Sequence, residues 1–468
     1  MDAELSEAVE VCVERLGWGR ARWLAEHREA DYRGTILAKA AQIRGLPRPA
    51  PRLSPAGGVA VRSYLISYVG YGQVGEWVGR GLEAQGVPVG FVPIQVCEMY
   101  APLAPFLRDR RCEAPRPGSW VVQVGNPNTP PPDGFPAAAY TMWETDALPA
   151  DAVAQLNRCR AVFVPNAWNA ESFAASGVRV PVAVVPMGVD AGEGYVPRPW
   201  PVGRPFTFGM AGRMEHGGVR KGLNEGMAAF ARAFDRGEPV RLEVKVLPDC
   251  VPSLRVPDDP RVRIVTRPMG SFEMAEWYAG LDCLFVPSKG EGWGMHSHQA
   301  MAVGRPLIAA RYGGTAEFFD ARFGWELPFD VRPADAYYHG HGRFAYPTED
   351  GMVAALRAAY SDPGGCRRKG ALAAARAAEF TWARTGRELY SGLAAVGAVP
   401  GPVSAAAAPP AHAAGRPSEG AVPCGWRRQF DGCCGPVDRC TAPGHPRNGL
   451  PVMTRECLDC VESGARPA

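Results

Sequence analysis

Short β-branched runs alternate with longer helix-patterned stretches, and they do so twice along this chain of 468 residues. The first series starts at residue 59 and reads VRSYLISYV, VPVGFVPI, SWVVQV, AAAYTM, RAVFVP and VPVAVVP. The second starts at PFTFGMAG and continues through RLEVKVL, RVRIV, DCLFVP and RPLIAA. Strands separated by helices pair in parallel, and parallel sheets are covered on both faces. The alternation therefore predicts an α/β chain of two doubly wound, Rossmann-like domains, in keeping with a length too great for one core. The segment from Pro186 to Pro205 separates the series, which places the domains at 59–190 and 191–380. Ligands of such folds sit at the carboxyl ends of the strands, so a cleft between the two sheets is the expected site.

The flanks differ in texture. Residues 1–50 read as a helical extension broken by Gly17, Gly19 and Gly34. Helical patterns return at 348–361, 365–379 and 381–396, and the last is expected to pack back on the first domain. Residues 397–423 are rich in Ala, Pro and Gly with no aromatic residue, the composition of an extended linker. No run of 18 apolar residues is present, so no membrane-spanning helix is expected. A net charge of +3 gives no reason to expect nucleic acid. The opening MDAELSEAVEVCVERLG is acidic and helix-patterned, unlike a signal peptide, and points to the cytoplasm.

The stretch YLISYVGYGQVGEWVGRGLEAQG carries Gly70-x-Gly72-x-x-Gly75 after an apolar run, the spacing of a dinucleotide fingerprint. A nicotinamide site also needs an acidic residue at the end of the second strand. Here that strand ends in Gln95-Val96-Cys97, and Glu98 arrives late. The glycines still allow close backbone approach to a bulky anion, so a phosphate-bearing ligand is the expectation rather than a nicotinamide.

The second half is more specific. LFVPSKGEGWGM is a strand running into a glycine-broken loop, and HSHQAMAV starts a helix whose amino terminus favours negative charge. Glu291 and Gln299 lie eight residues apart, and a carboxylate with an amide suits sugar hydroxyls. Taken singly they read as a loop Glu and a helix-surface Gln. Together, the stretch resembles the signature E-G-[FW]-G-x-x-x-x-E-A-M-A of family 4 retaining glycosyltransferases of the GT-B fold. Gly212-Arg213 and Arg220-Lys221-Gly222 resemble that family's basic pair, and Gly313-Gly314-x-x-Glu317 its GG-x-x-E. MWETDALP, VFVPNAW and SGV-x-x-PVAVVPMGVD are similar to a subgroup's first domain, so the likeness covers roughly residues 59–395.

The resemblance implies a hexose transfer from a nucleotide-diphosphate sugar, with retention, to a saccharide, lipid-linked or protein acceptor. It implies that Arg213 and Lys221 neutralise the diphosphate, that Glu291 touches the transferred sugar and that position 299 meets the ribose. Gly72, Gly294, Met295, Gly314 and Glu317 are the other donor contacts it suggests. It implies a front-face route in which positioning and charge carry the rate, with no cofactor or divalent metal required. Arg213 and Lys221 alone would read as solvated surface cations. Glu144 either orients and deprotonates the acceptor hydroxyl or caps the helix after Pro149, and Asn126 also follows an apolar strand towards the cleft. Trp143 and Trp168 either stack on sugars or pack in the core. The chain departs from the family in having Gln299 for Glu, and His296 and His298 in a segment usually apolar; each histidine either lines the pocket or sits on the helix-start surface. The second functional class is a catalytically weak sugar-nucleotide binder acting through its tail and amino-terminal helices.

Seven of the thirteen cysteines are scattered through apolar stretches and read as buried thiols. The other six, Cys424, Cys433, Cys434, Cys440, Cys457 and Cys460, crowd a tail (424–468) too short for its own core. In a cytoplasmic protein they read as ligands of a structural zinc, with an iron–sulfur centre or uncoordinated thiols as alternatives. The residues leave open whether the tail docks to a partner or to a substrate, and whether the protein as a whole has a peripheral membrane or protein partner.

Overall fold

The structure, a computed structural model, describes residues 3–16, 52–66, 70–98, 102–214, 220–334, 338 and 340–400, with isolated residues between 25 and 44 and the pairs 422–423 and 452–453. Helix α1 (Ala3–Leu16) buries Leu5, Ala8, Val9 and Cys12 in a small cluster of its own. The first domain follows with β1 (Val59–Leu65), α2 (Gly70–Glu83), β2 (Val89–Val96), α3 (Pro105–Arg110), β3 (Trp120–Val124), β4 (Ala137–Tyr140), α4 (Ala150–Leu156), β5 (Ala161–Val164), α5 (Ala167–Ala175) and β6 (Val182–Val184). Its six strands lie in the order β2-β1-β3-β4-β5-β6, all parallel.

The second domain contains β7 (Phe206–Ala211), α6 (Leu223–Ala233), β8 (Val240–Lys245), β9 (Val262–Val265), α7 (Ser271–Ala279), β10 (Cys283–Val286), α8 (Met295–Ala302), β11 (Leu307–Ala309) and β12 (Gly324–Glu326). The order is β12-β11-β10-β7-β8-β9, again all parallel. Strands β4, β5 and β10 are buried along their whole length because helices cover both faces, which is why they read as unbroken apolar runs. In the second sheet the chain first builds outward from β7 to β8 and β9, then returns to the other side of β7 to place β10. The crevice beside a reversal of this kind is where doubly wound sheets take their ligands.

Beyond β12 the domain adds an antiparallel hairpin, β13 (Phe329–Pro333) and β14 (Arg343–Pro347), then α9 (Glu349–Ser361), α10 (Pro363–Ala377) and α11 (Trp382–Ala395). Helix α11 lies on α2 of the first domain, with Gly81 and Gly386 approaching so closely that a methyl on either would meet the other's backbone. Both connections between the domains run side by side here. Val189 N–H donates to the Phe380 carbonyl at 3.1 Å, Thr385 Oγ1 donates to the Pro186 carbonyl at 2.6 Å, and Gly188 leaves no room for a side chain against Thr381 and Trp382.

The glycine-rich stretch is corrected. Gly70, Gly72 and Gly75 belong to α2 rather than to a loop before it. A Cβ on Gly72 would overlap the Ile66 carbonyl, one on Gly75 the Ser63 hydroxyl, and one on Gly79 the Phe91 ring. These glycines let the helix sit directly on β1 and β2, which needs the same missing side chain that a phosphate would.

The described cysteines are buried thiols, apart from the half-buried Cys97. No helix among the described residues is long and apolar enough to cross a membrane. Residues from 403 form a separate unit, of which the pairing of Val422–Pro423 with Val452–Met453 is described. All six tail cysteines, and the zinc expected of them, lie outside the described residues.

Candidate active site

The site grows out of two strand ends. Strand β7 ends at Ala211 and hands on to Gly212-Arg213, while its neighbour β10 ends at Val286 and hands on to Pro287-Ser288-Lys289-Gly290-Glu291. These ends flank the reversal in strand order. Gly212 lies against the aliphatic stem of Lys221, so Arg213 and Lys221 leave the same edge of the second domain. Arg213 reaches outward to Asp249, with Nη2 3.4 Å from Oδ2.

Glu291 is 7% exposed. Its Oε1 accepts from Lys221 Nζ at 2.6 Å and from Ser288 Oγ at 2.7 Å, and its Oε2 lies 3.4 Å from Arg220 Nη1. Burial alone would push the carboxyl up, but the charges of Lys221 and Arg220 outweigh it and hold the group well below the usual carboxylate range. Lys221 is itself lowered by burial, against the pull of Glu291. Lys289 turns away and pairs with Glu225 at 2.8 Å.

Beyond Glu291 the chain turns through Gly294, whose φ of +92° favours glycine, into α8. Among the described residues no side chain caps that helix, which leaves its first N–H groups to an anion near Met295. Gly313 and Gly314 wedge beneath the loop. Gly314 N–H donates to the Glu291 carbonyl at 2.7 Å, and a Cβ on Gly314 would collide with the Gly292 carbonyl. Glu317 ends that turn, where its carbonyl accepts from Arg376 Nη2 at 2.8 Å. A small pocket lined by Ser288, Glu291, Tyr312 and Thr315 opens between these segments.

The first domain closes the other side. Glu144 Oε1 lies 3.7 Å from Arg220 Nη2, and its Oε2 accepts from the Tyr338 hydroxyl at 3.1 Å. Asn166 Nδ2 donates to the Gly292 carbonyl at 2.6 Å, which ties the amino end of α5 to the sugar-signature loop. The capping alternative for Glu144 is not what the fold shows: α4 starts at Ala150, after Pro149, without a side-chain cap. Trp143 and Trp168 pack edge-on against Tyr338 and Tyr312 of the second domain, with ring centroids 5.1 and 5.6 Å apart. Asn126 sits at the end of β3 with its amide 3.5 Å from the Tyr64 hydroxyl.

Glu291, Lys221, Glu144 and Gly314 are thus brought together, with Arg213 at the same strand end and Gly294 and Met295 at the helix start. Gly72 is not among them; its neighbour Tyr71 is, through a hydroxyl donating to the Met142 carbonyl at 3.1 Å. Gln299 lies further along α8, where its Oε1 accepts from the Tyr278 hydroxyl at 3.4 Å. Arg220, Ser288 and Tyr338 were not singled out from the sequence. Arg220 stands beside Lys221 in the basic motif, which is the one local sign of it.

The two histidines part company. His296 is half-buried in the first turn of α8; burial pulls its imidazole down to about 4, against the attraction of Glu291. His298 is fully buried between Trp293, Phe318 and Phe380, off the helix surface and packed in the core, which corrects both readings of it. Trp293 Nε1–H donates to its Nδ1 at 3.3 Å, so the proton resides on Nε2 and points to the Ala377 carbonyl at 3.1 Å. A second proton would face an indole N–H in an apolar cage, and burial lowers this imidazole from 6.5 to about 4. Because the unfolded chain takes that proton first, stability is full above about 6.5 and falls as the pH drops towards 4, by about 3 kcal/mol for His298. His296 adds a change of the same sign. Thermal melts across that range are expected to show the fall, and His298→Gln to flatten it.

Residues 205–336 match the family model described as Glycosyl transferases group 1. A D-inositol 3-phosphate glycosyltransferase of Streptomyces bingchenggensis is 33% identical over 112 residues, 24% of this chain and 21% of that protein. The chain thus matches about a fifth of the length of that curated relative. Sucrose-phosphate synthase of Thermosynechococcus elongatus shares the fold with a TM-score of 0.53 at 16% identity, over 72% of this chain and 99% of that one. HepE of Anabaena, solved with UDP-glucose, does so with a TM-score of 0.51 at 14% identity over the same shares. Two parallel six-stranded sheets meeting at a cleft, with these neighbours, define a GT-B glycosyltransferase fold. Within it, the second domain is similar to the glycosyl transferases of group 1 and carries the family 4 type of motif.

Proposed function

We propose that this chain is a glycosyltransferase that moves a hexose from a nucleotide-diphosphate sugar to a saccharide, lipid-linked or protein acceptor in the cytoplasm, with retention at the transferred carbon. The observation that carries the reading is the buried Glu291 paired with Lys221 at the reversal of the second sheet, with Glu144 across the cleft. A diphosphate set against Lys221, Arg213 and the uncapped start of α8 meets two cations and a row of N–H groups. Each of these contacts strengthens as the leaving diphosphate gains charge. Glu291, held ionised by its neighbours, is placed to hydrogen-bond the hydroxyls of the transferred sugar. The acceptor oxygen forms its bond to the sugar carbon on the side from which the diphosphate oxygen departs, and a phosphate oxygen takes the acceptor's proton. HepE, which shares this fold, was solved with UDP-glucose, and that supports a nucleotide sugar as donor.

The second class, a weak binder of sugar nucleotides, is favoured by Gln299, whose amide oxygen is engaged by Tyr278 where the family offers a carboxylate. A panel of UDP-, GDP- and ADP-glucose separates the two. The enzyme reading predicts a rise in melting temperature with one nucleotide, by mass action, together with nucleotide release that an acceptor accelerates. Stabilisation without any release would leave the binder, and no stabilisation by any donor would remove both.

A further inference from the structure

We propose that Arg220 and Tyr338 are positioning residues for Glu144, so that the acceptor side of the site is assembled only while the two domains are closed; this rests on the glycosyl-transfer reading above. Glu144 belongs to the first domain, yet both of its carboxylate oxygens look to the second. Oε1 faces Arg220 Nη2 at 3.7 Å and Oε2 accepts from Tyr338 at 3.1 Å. Among the described residues no first-domain side chain hydrogen-bonds this carboxylate. Its direction is therefore set from across the cleft.

Both partners are themselves fixed. Arg220 Nη1 donates to the Gly290 carbonyl at 2.9 Å, and the Arg220 carbonyl accepts from Lys289 N–H at 2.8 Å, so the guanidinium is built onto the loop that carries Glu291. It stands between carboxylates of opposite domains, Glu144 on one side and Glu291 on the other. The Tyr338 ring is wedged edge-on between Trp143 and Phe344, with centroids 5.1 and 4.9 Å away. The surrounding backbone is equally close. Gly290 has no room for a Cβ against the Glu144 carbonyl, and Asp146 accepts from Arg343 N–H and Nε at 2.7 and 2.8 Å. Separating the domains would remove every contact that crosses the cleft, those of Glu144 to Arg220 and Tyr338 included, and leave Glu144 without a fixed aim. A carboxylate that must meet an acceptor hydroxyl loses its rate advantage when it is misplaced by a fraction of a bond length.

The test compares Arg220→Gln, Tyr338→Phe and Arg220→Lys in the full chain, each alone and with Glu144→Gln, by nucleotide release with and without acceptor. Arg220→Gln and Tyr338→Phe are expected to lower kcat for transfer about 10- to 100-fold, with the donor KM and the stabilisation by the nucleoside diphosphate little changed. Arg220→Lys, which keeps the charge, is expected to recover part of the loss. On the Glu144→Gln background Tyr338→Phe should not lower the rate further, and Arg220→Gln should cost only the part it exerts through Glu291, because the group they aim is gone. Losses that multiply on that background, or a raised donor KM at unchanged kcat, overturn the proposal. Absence of nucleotide release by the unmodified protein with every donor overturns instead the glycosyl-transfer reading itself.

Discussion

Lys221→Ala is expected to lower transfer by about 10²–10³-fold, the scale of removing one preorganised charge partner from a leaving group. The same substitution also weakens the fold. Glu291 is buried, Lys221 stands 2.6 Å from it with its side chain 12% exposed, and stripping one partner from a buried pair costs about 3–5 kcal/mol when nothing replaces it. Here Arg220 and Ser288 still face the carboxylate, so the loss falls below that range. Activity lost to unfolding and activity lost to chemistry are separated by the double variant Lys221→Met with Glu291→Gln. It removes both charges at similar volume, a change that buried pairs tolerate well. It is expected to melt near the unmodified protein and to be inactive. Arg213→Ala gives the complementary control. Its ion pair with Asp249 is largely exposed, so stability changes by about 0.5 kcal/mol or less while transfer still falls by orders of magnitude. Nucleotide release at the unmodified rate in either Lys221→Ala or Arg213→Ala, measured with the true donor, would withdraw the diphosphate from these cations.

The two-domain α/β architecture was legible because strands buried on both faces must be apolar throughout, and AVFV or CLFV between helical stretches permits little else. The Glu291 loop was legible for a related reason. A strand end, a left-handed glycine and a helix start follow one another within a dozen residues, so the whole device is local. What stayed hidden is what distance in the chain hides. Arg220 draws its meaning from Glu144 and Glu291, each some 70 residues or more away, and no spacing rule connects them. The hairpin of β13 and β14 was not read either: the alternation in FDVRP runs over only five residues, hemmed by Pro328 and closing on Pro333, and β13 is mostly exposed. The pattern Gly70-x-Gly72-x-x-Gly75 misled because a helix seated on a strand and a backbone seated on a phosphate both demand a missing Cβ. His296 and His298 diverge on α8, as two residues so spaced must, yet only the packing of Phe318 and Phe380 decides which one the core takes.

Gly314→Ala carries the second large effect, and it reaches the chemistry without touching a charged group. The added methyl would occupy the place of the Gly292 carbonyl, with the Trp293 nitrogen 2.6 Å away, so backbone must move rather than a side chain rotate. The segment that has to yield is the one carrying Glu291, since Gly314 N–H holds the Glu291 carbonyl at 2.7 Å. Its other face is pinned by Asn166 to Gly292 and by Glu144 against Gly290, so the displacement is forced into the site rather than out to solvent. A shift of about 1 Å at a positioning group costs on the order of 10²-fold in rate. The expected result is a folded protein with a lowered melting temperature, a kcat reduced by about that factor, and nucleoside diphosphate binding weakened less than transfer. The contrast with Gly203→Ala, where the added Cβ meets nothing within 4 Å, isolates the mechanism. That change strains one left-handed turn (φ +70°) away from the cleft, so it is expected to lower stability modestly and leave kcat alone. Equal kcat in the two variants would mean that the glycine pair after β11 does not hold the Glu291 loop in register.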